Sequence, residues 1–158
     1  MRTTVLRVII AGVIGGLAFA LFSMIWFGLG DRTAWYPLNL VAHTLWRGAP
    51  VDGGFHPGAA VLGVITLGAV GVLAIAPFAV LAVGAGMNPL VAIIGASIYA
   101  NVIWVFGHYL VWEKLDPVSA TSFAPGAAWT AHFVAGLAAG AALVRLTSRD
   151  WTVGRKPG

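Results

Sequence analysis

The sequence contains no cysteine and very little charge. The absence of cysteine from 158 residues excludes disulfides, thiolate metal sites, iron–sulfur clusters and cysteine nucleophiles. Charged residues make up 9% of the chain, whereas soluble domains carry about 25%, so the chain lacks the polar surface of a water-facing shell. The Lys and Arg residues are thinly spread and form no basic stripe, which excludes a nucleic-acid-binding protein. The composition therefore predicts a membrane protein rather than a soluble enzyme.

Long uncharged stretches predict four membrane-spanning helices, and hence an all-α fold. No Asp, Glu, Lys or Arg occurs in residues 53–112 or in residues 117–144. A spanning helix needs about 20 predominantly apolar residues, so the first stretch holds two spans, separated by the turn-forming sequence GAGMNP. We expect one membrane domain over residues 1–158, a four-helix transmembrane bundle with spans near residues 6–29, 57–83, 89–112 and 125–146.

The basic residues orient these spans. The first span is expected to be retained, because its apolar run is too long for a cleaved signal peptide. Four spans place both termini on one side, together with six of the nine basic residues: Arg2, Arg7, Arg145, Arg149, Arg155 and Lys156. The other side carries three basic residues against four acidic ones. The positive-inside rule therefore makes both termini cytoplasmic, as in a multi-pass protein of the bacterial inner membrane.

A short interfacial helix is expected at residues 37–47, in the first outer loop. Pro37 suits a first helical turn, and Gly48 suits the position after a last turn. Apolar residues share one face of this segment and polar residues share another: Leu38, Val41 and Leu45 against Asn39, His43 and Arg47. Such a helix lies on the outer leaflet or caps the bundle.

Small residues indicate which faces of the spans pack together, and tryptophans indicate where the spans meet the membrane interface. Gly12 and Gly16 share one face of the first span, and Gly136 and Gly140 form a GxxxG pattern in the fourth. Helices in lipid associate through such close-packing surfaces, so a compact bundle is expected. Six tryptophans lie at or near the outer interface and are expected to anchor it: Trp26, Trp35, Trp46, Trp104, Trp112 and Trp129.

All four histidines fall on the outer half of the predicted topology. His108 shares a semi-polar stripe of the third span with Ser97, Asn101 and Trp104, and His132 shares the glycine face of the fourth span. If these faces meet, the two imidazoles approach each other inside the bundle. The alternative is that they only make hydrogen bonds between helices.

Two facing histidines in a helical bundle are the arrangement that holds haem b through two axial nitrogens. Adding His43 and His56 would give a ligand set suited to copper or zinc, although the simplest expectation for these two is exposure at the interface. An acidic residue can orient such a ring by accepting its second N–H, and three are available on the outer side: Asp52, Glu113 and Asp116.

The order of elements resembles the YagU-like inner-membrane proteins of bacteria. The resemblance is carried by the segment WYPLNL at residues 35–40, which introduces the short outer helix, and by His132 followed by small residues in the last span. It implies a four-helix inner-membrane fold and assigns no chemistry to any residue.

Three functions follow as hypotheses. The first is a non-catalytic accessory subunit that associates with other membrane subunits or with itself in the lipid bilayer, because the sequence shows no buried charge, nucleophile or phosphate loop. The second is a haem- or metal-binding subunit of an electron-transfer complex that uses His108 and His132. The third is a small-solute transporter, which is disfavoured because no charged residue lies in the middle of a span.

The charge distribution gives a testable topology. Reporter fusions at Ala85 and after Gly158 should report the cytoplasm, and fusions near Gly53 and Ser119 should report the opposite side, because Lys and Arg divide 6 to 3 between the two sides. An external C-terminus would reverse the placement of every histidine.

Overall fold

The computed structural model describes residues 2–153, with side chains for residues 4–147. The side chains of several predicted orienting residues, Arg2, Arg149, Arg155 and Lys156, lie outside the described residues. The described chain is helical apart from its connections. Its helices are α1 (Arg2–Leu29), α2 (Tyr36–Leu45), α3 (Pro57–Gly84), α4 (Pro89–Phe106), α5 (Glu113–Leu115), α6 (Pro117–Ser122) and α7 (Pro125–Val153), and a π-helical segment (Gly107–Trp112) continues α4.

Four of these segments are long and apolar enough to cross a membrane: Thr4–Leu29, Pro57–Gly84, Pro89–Leu115 and Pro125–Thr147. The predicted all-α, four-span architecture is therefore confirmed. The third span runs three residues beyond its expected end at residue 112, through the π-helical segment and α5. We call the end that carries α2, α5 and α6 the capped end, and the opposite end, where the 85–88 turn lies, the terminal end.

The four long helices form a curved row rather than a closed ring. Helix α1 packs along both α3 and α7, and α4 packs along the other side of α7. The order across the row is thus α3, α1, α7, α4. Helices α3 and α4, at its two ends, contact each other only sparsely. Their ring contact, Phe78 with Tyr99 at 5.5 Å, lies toward the terminal end.

The seam between α1 and α3 is a contact of backbones. A Cβ added to Gly12 would collide with the backbone of Val72, and one added to Gly16 would collide with Leu67. From the other side, a Cβ on Gly71 of α3 would strike the carbonyl oxygen of Gly12. Since lipid tails are as apolar as leucine, such close approach is what holds membrane helices together.

The seam between α7 and α4 is equally tight. A Cβ on Gly136 would lie 2.5 Å from the Cα of Ser97, and one on Gly140 would lie 2.9 Å from the Cα of Ile93. The hydroxyl of Ser97 donates to the carbonyl of Phe133 at 2.6 Å across the same seam. The semi-polar stripe of the third span therefore meets the glycine face of the fourth span.

Helix α2 caps the bundle instead of lying on a leaflet. It runs from Tyr36 to Leu45, two residues shorter at its end than expected, and all its residues from Tyr36 to Ala42 are buried. The amide of Asn39 is fully buried and donates to the carbonyl of Gly54 at 2.9 Å. The polar face of α2 therefore packs against the loops of the same chain, and the expectation that His43 is exposed is wrong, since its side chain is only 14% accessible.

The outward faces of the long helices carry large aliphatic side chains. On α1 the exposed residues include Ile9, Val13, Leu17, Leu21 and Ile25. A soluble monomer rarely leaves so continuous an apolar surface in water. These faces suit the hydrocarbon of a bilayer, so the chain is a multi-pass membrane protein.

The glycine contacts of α7 can be tested with one substitution at two sites. Gly136→Ala should destabilise the bundle by about 1–3 kcal/mol, because the new methyl has no space and the backbone of α4 must move. Gly126→Ala, in the same helix, meets nothing within 4 Å and should be neutral or stabilising by about 0.4–1 kcal/mol. Equilibrium unfolding in mixed detergent micelles measures both. Equal stability of the two variants would contradict the assigned seam.

Candidate functional site

The gap between α3 and α4 contains a cavity of about 330 Å³. All four long helices contribute to its walls, and α2 roofs it at the capped end through Val41 and Thr44. Because α3 and α4 hardly touch, the cavity opens sideways between them, onto the faces that meet lipid. Its walls are apolar except for a few groups that include Thr66, His108 and His132.

His108 lies in the π-helical segment and lines this cavity. Its side chain is buried, with 5% of the residue accessible, and its Nδ1 has no hydrogen-bond partner among the described residues. π-Helical turns are rare and are frequent at functional sites. A buried polar atom without a partner costs about 1–3 kcal/mol. The unpartnered Nδ1 of His108 therefore lowers the stability of the fold.

His132 faces the same cavity from α7. It lies seven residues after Pro125, about 10 Å along the helix at a rise of 1.5 Å per residue. Its Nδ1 donates to the carbonyl of Ala128 at 2.7 Å, because a carbonyl oxygen can only accept. That bond fixes the tautomer and leaves Nε2 as an acceptor. The ring also packs edge-on against Phe19 at a centroid distance of 4.7 Å.

Trp104 lies beside both histidines. Its ring centroid is 5.8 Å from that of His108 and 5.9 Å from that of His132, and its Nε1 is buried with no hydrogen-bond partner in the described part of the chain. Trp112 also lines the cavity and packs edge-on against His108 at 5.5 Å. These two tryptophans therefore face the interior, in contrast to their predicted role as interfacial anchors.

The structure thus places His108 and His132 on one cavity, but the cavity suits haem poorly. The indole of Trp104 occupies space beside both imidazoles. The lining contains no Lys or Arg among the described residues to pair with the carboxylates that a haem carries. The haem-binding role of the two histidines stays a prediction from the sequence.

The other two histidines, His43 and His56, do not line the cavity, and each is paired with a different aspartate. Nδ1 of His43 lies 2.9 Å from Asp116, and Nε2 of His56 lies 2.9 Å from Asp52. No group of three or more His, Asp or Glu side chains with the spacing of a metal site occurs in the part of the chain that the structure describes. The structure therefore gives His43 and His56 carboxylate partners, and a metal-binding role for these two histidines stays a prediction from the sequence.

Asp116 is the centre of the cap. Its carboxylate is inaccessible to solvent and pairs with Nδ1 of His43 and with the guanidinium of Arg47, each at 2.9 Å. It also caps α6 by accepting from the backbone N–H of Ser119 at 3.2 Å. Burial alone would raise the pKa of Asp116, but the hydrogen bonds from Ser119 and His43 outweigh it and hold that pKa below its usual value. The carboxylate is thus the ionised anchor that ties α6 to α2.

The cap contains a serine, a histidine and an aspartate but is not a catalytic triad. Ser119 Oγ lies 3.3 Å from Nδ1 of His43, the same nitrogen that Asp116 contacts. In a triad the serine and the carboxylate use opposite nitrogens of the imidazole, so that the ring can pass a proton between them. Ser119 is also fully buried. The arrangement is structural.

The cap is joined directly to the wall of the cavity. The indole N–H of Trp112 donates to Thr44 Oγ1 at 2.7 Å, and Thr44 donates to Asp116 at 3.3 Å. The sequence alone pointed to Asp116 only as an acidic residue that can orient a histidine ring, and α6 was not predicted. The pair Asp116-Pro117 carries the available signal, since aspartate is a favoured N-cap and proline a favoured first helical residue.

The two His–Asp pairs provide a matched test of the cap. Asp116→Asn should destabilise the fold by about 1.5–3 kcal/mol, the range for hydrogen bonds to charged groups. Asp52→Asn should leave stability nearly unchanged, because this carboxylate is 65% accessible and exposed ion pairs contribute little. Unfolding in detergent at neutral pH measures both, and equal effects would contradict the anchoring role of Asp116.

The difference in stability between wild type and Asp116→Asn should also depend on pH. Because the folded-state pKa of Asp116 lies below the ordinary value of 3.8, its stabilisation is complete above that value and is lost as the pH falls through the folded-state pKa. The stability gap between the two proteins should therefore shrink in acid. A gap that widens in acid would show that the carboxylate is protonated in the native state.

No family model, curated protein or solved structure matches the chain. The resemblance to the YagU-like proteins accordingly stays an expectation from the sequence. Function is inferred below from the residues of the chain itself.

Proposed function

We propose that this protein is a non-catalytic membrane protein that binds a neutral, lipid-soluble molecule in the cleft between α3 and α4. The observation that carries the proposal is the cavity of about 330 Å³ with apolar walls from all four spans and His108 buried in its lining. Ligand pockets measure about 300–1,000 Å³ and combine apolar walls with a few polar groups that orient the ligand. The cleft has both properties.

The lateral opening supports a ligand that arrives from the bilayer. Where α3 and α4 border the gap, the walls include apolar side chains such as Val70 of α3 and Ile103 of α4. Their apolar surface matches an apolar chain and offers nothing to a hydrated solute. Transport of a small polar solute is less well supported, because the lining carries no Asp, Glu, Lys or Arg within the described residues.

We further propose that the protein acts as an accessory subunit in the inner membrane of a bacterium, with both termini in the cytoplasm. It would hold its ligand for other membrane subunits, or for a second copy of itself. Two features support this role: the serine, histidine and aspartate of the cap do not have the geometry of a triad, and helical segments make up most of the described chain. The alternative, a haem-binding subunit, predicts visible absorption of the purified protein that is abolished by His108→Ala or His132→Ala.

Filling the cleft tests the binding function. Ala74 lines the cavity, whereas Ala69, on the same helix, is exposed and lies outside the lining. Ala74→Phe should weaken binding of tritiated decylbenzene by about tenfold or more, because the ring takes up the space of the ligand, and Ala69→Phe should change it by less than about twofold. Binding is measured in lipid nanodiscs, with empty nanodiscs subtracted. Equal binding by the two variants, or a Soret band in the purified protein, would overturn the proposal.

A further inference from the structure

We infer that the ligand of the cleft is a quinone-type molecule, a flat ring with carbonyl oxygens and a long apolar tail. This inference rests on the proposed function and names the class of ligand. It follows from three properties of the lining: its unpartnered ring nitrogens, its lack of charge and its aromatic side chains.

The unpartnered nitrogens favour a ligand that accepts hydrogen bonds. The indole Nε1 of Trp104 is a donor only, and it is buried with no partner in the described chain. Nδ1 of His108 is buried and unpartnered in the same way. The two residues are four positions apart and their rings lie 5.8 Å apart, so both reach one region of the cavity. A carbonyl oxygen placed there satisfies Trp104, and His108 as well when Nδ1 carries the proton.

The absence of charge excludes an ionic headgroup. Burying a phosphate or carboxylate in an apolar cleft costs a great deal unless a cation pairs with it, and the lining holds no Arg or Lys within the described residues. The guanidinium of Arg47, two residues after the end of α2, is bonded to Asp116 and to the carbonyl of Leu115. Phospholipids and fatty acids are therefore poor candidates, whereas a neutral carbonyl compound leaves no charge unpaired.

The shape of the lining favours a flat ring. Aromatic side chains on several elements border the cavity: Phe19, Tyr99, Trp104, Trp112 and Phe123. Aromatic rings pair with other planar rings in offset or edge-on contacts. A tail attached to such a ring leaves through the gap between α3 and α4 into the lipid. A quinone with an isoprenoid tail has all of these features.

The test compares two probes that share a ten-carbon tail. Decylubiquinone carries carbonyl oxygens on its ring, and decylbenzene carries none. In nanodiscs, wild-type protein should bind decylubiquinone about tenfold or more tightly than decylbenzene, since one hydrogen bond to a buried donor is worth about that factor. Trp104→Phe should remove about tenfold of the affinity for decylubiquinone and leave decylbenzene nearly unchanged.

Two further variants complete the design. Trp129→Phe is the matched control, because Trp129 is exposed on α7, stacks on Phe133 and lies outside the cavity lining. His108→Leu should act like Trp104→Phe, and it leaves no partner orphaned, so the bundle should still fold. Equal binding of the two probes by wild type, or equal effects of Trp104→Phe and Trp129→Phe, would overturn the quinone inference. If Ala74→Phe still weakens the binding of decylbenzene in that case, the proposed binding function of the cleft is retained. If neither probe binds the wild-type protein, the binding function and the quinone inference are both overturned.

Discussion

Close approach of helix backbones through small residues is the constraint on which the rest of this structure depends. Hydrophobicity cannot bring helices together where the solvent is itself apolar, so packing contacts and hydrogen bonds must do so. Helix α1 provides such contacts on two faces, with Gly12 and Gly16 toward α3 and Gly15 toward Ala135 of α7. Helix α7 adds a second seam through Gly136 toward α4. Three seams join four helices into a row, and the ends of that row remain separate.

The width of the remaining gap follows from residue size along α4. Toward the terminal end, Ala92 and Gly95 are small, and Phe78 of α3 can pack close to them. Toward the capped end, the bulky rings of Trp104 and His108 line the gap. Helices cannot approach closely over bulky rings, so α3 and α4 meet at one end and stand apart at the other. The cavity is therefore a consequence of the sequence of α4 and not a failure of packing.

The sequence predicted the elements better than their arrangement. Uncharged stretches located the four spans, and spacing placed His108 and Trp104 on one face, because these properties depend on neighbours in the chain. Burial of His43 on α2 depends on a residue more than 70 positions away, since His43 is paired with Asp116, and no local pattern shows that partner. The π-helical segment likewise has no sequence signature that separates it from α-helix. The glycine patterns showed which faces pack, but they do not show which pair of helices lacks a seam.

The cap and the gap together set the route by which the proposed ligand would enter. The roof is fixed by an inaccessible carboxylate with two partners at 2.9 Å, and Trp112 ties it to the wall through Thr44. Between α3 and α4, in contrast, no hydrogen bond is found within the described residues, and their contacts are few. Opening the roof requires breaking charge-assisted hydrogen bonds, each worth about 1.5–3 kcal/mol. Separating α3 from α4 only exchanges apolar contacts with protein for apolar contacts with lipid. Entry of the proposed ligand from the side would therefore cost less, and this route would select for molecules that already partition into the membrane.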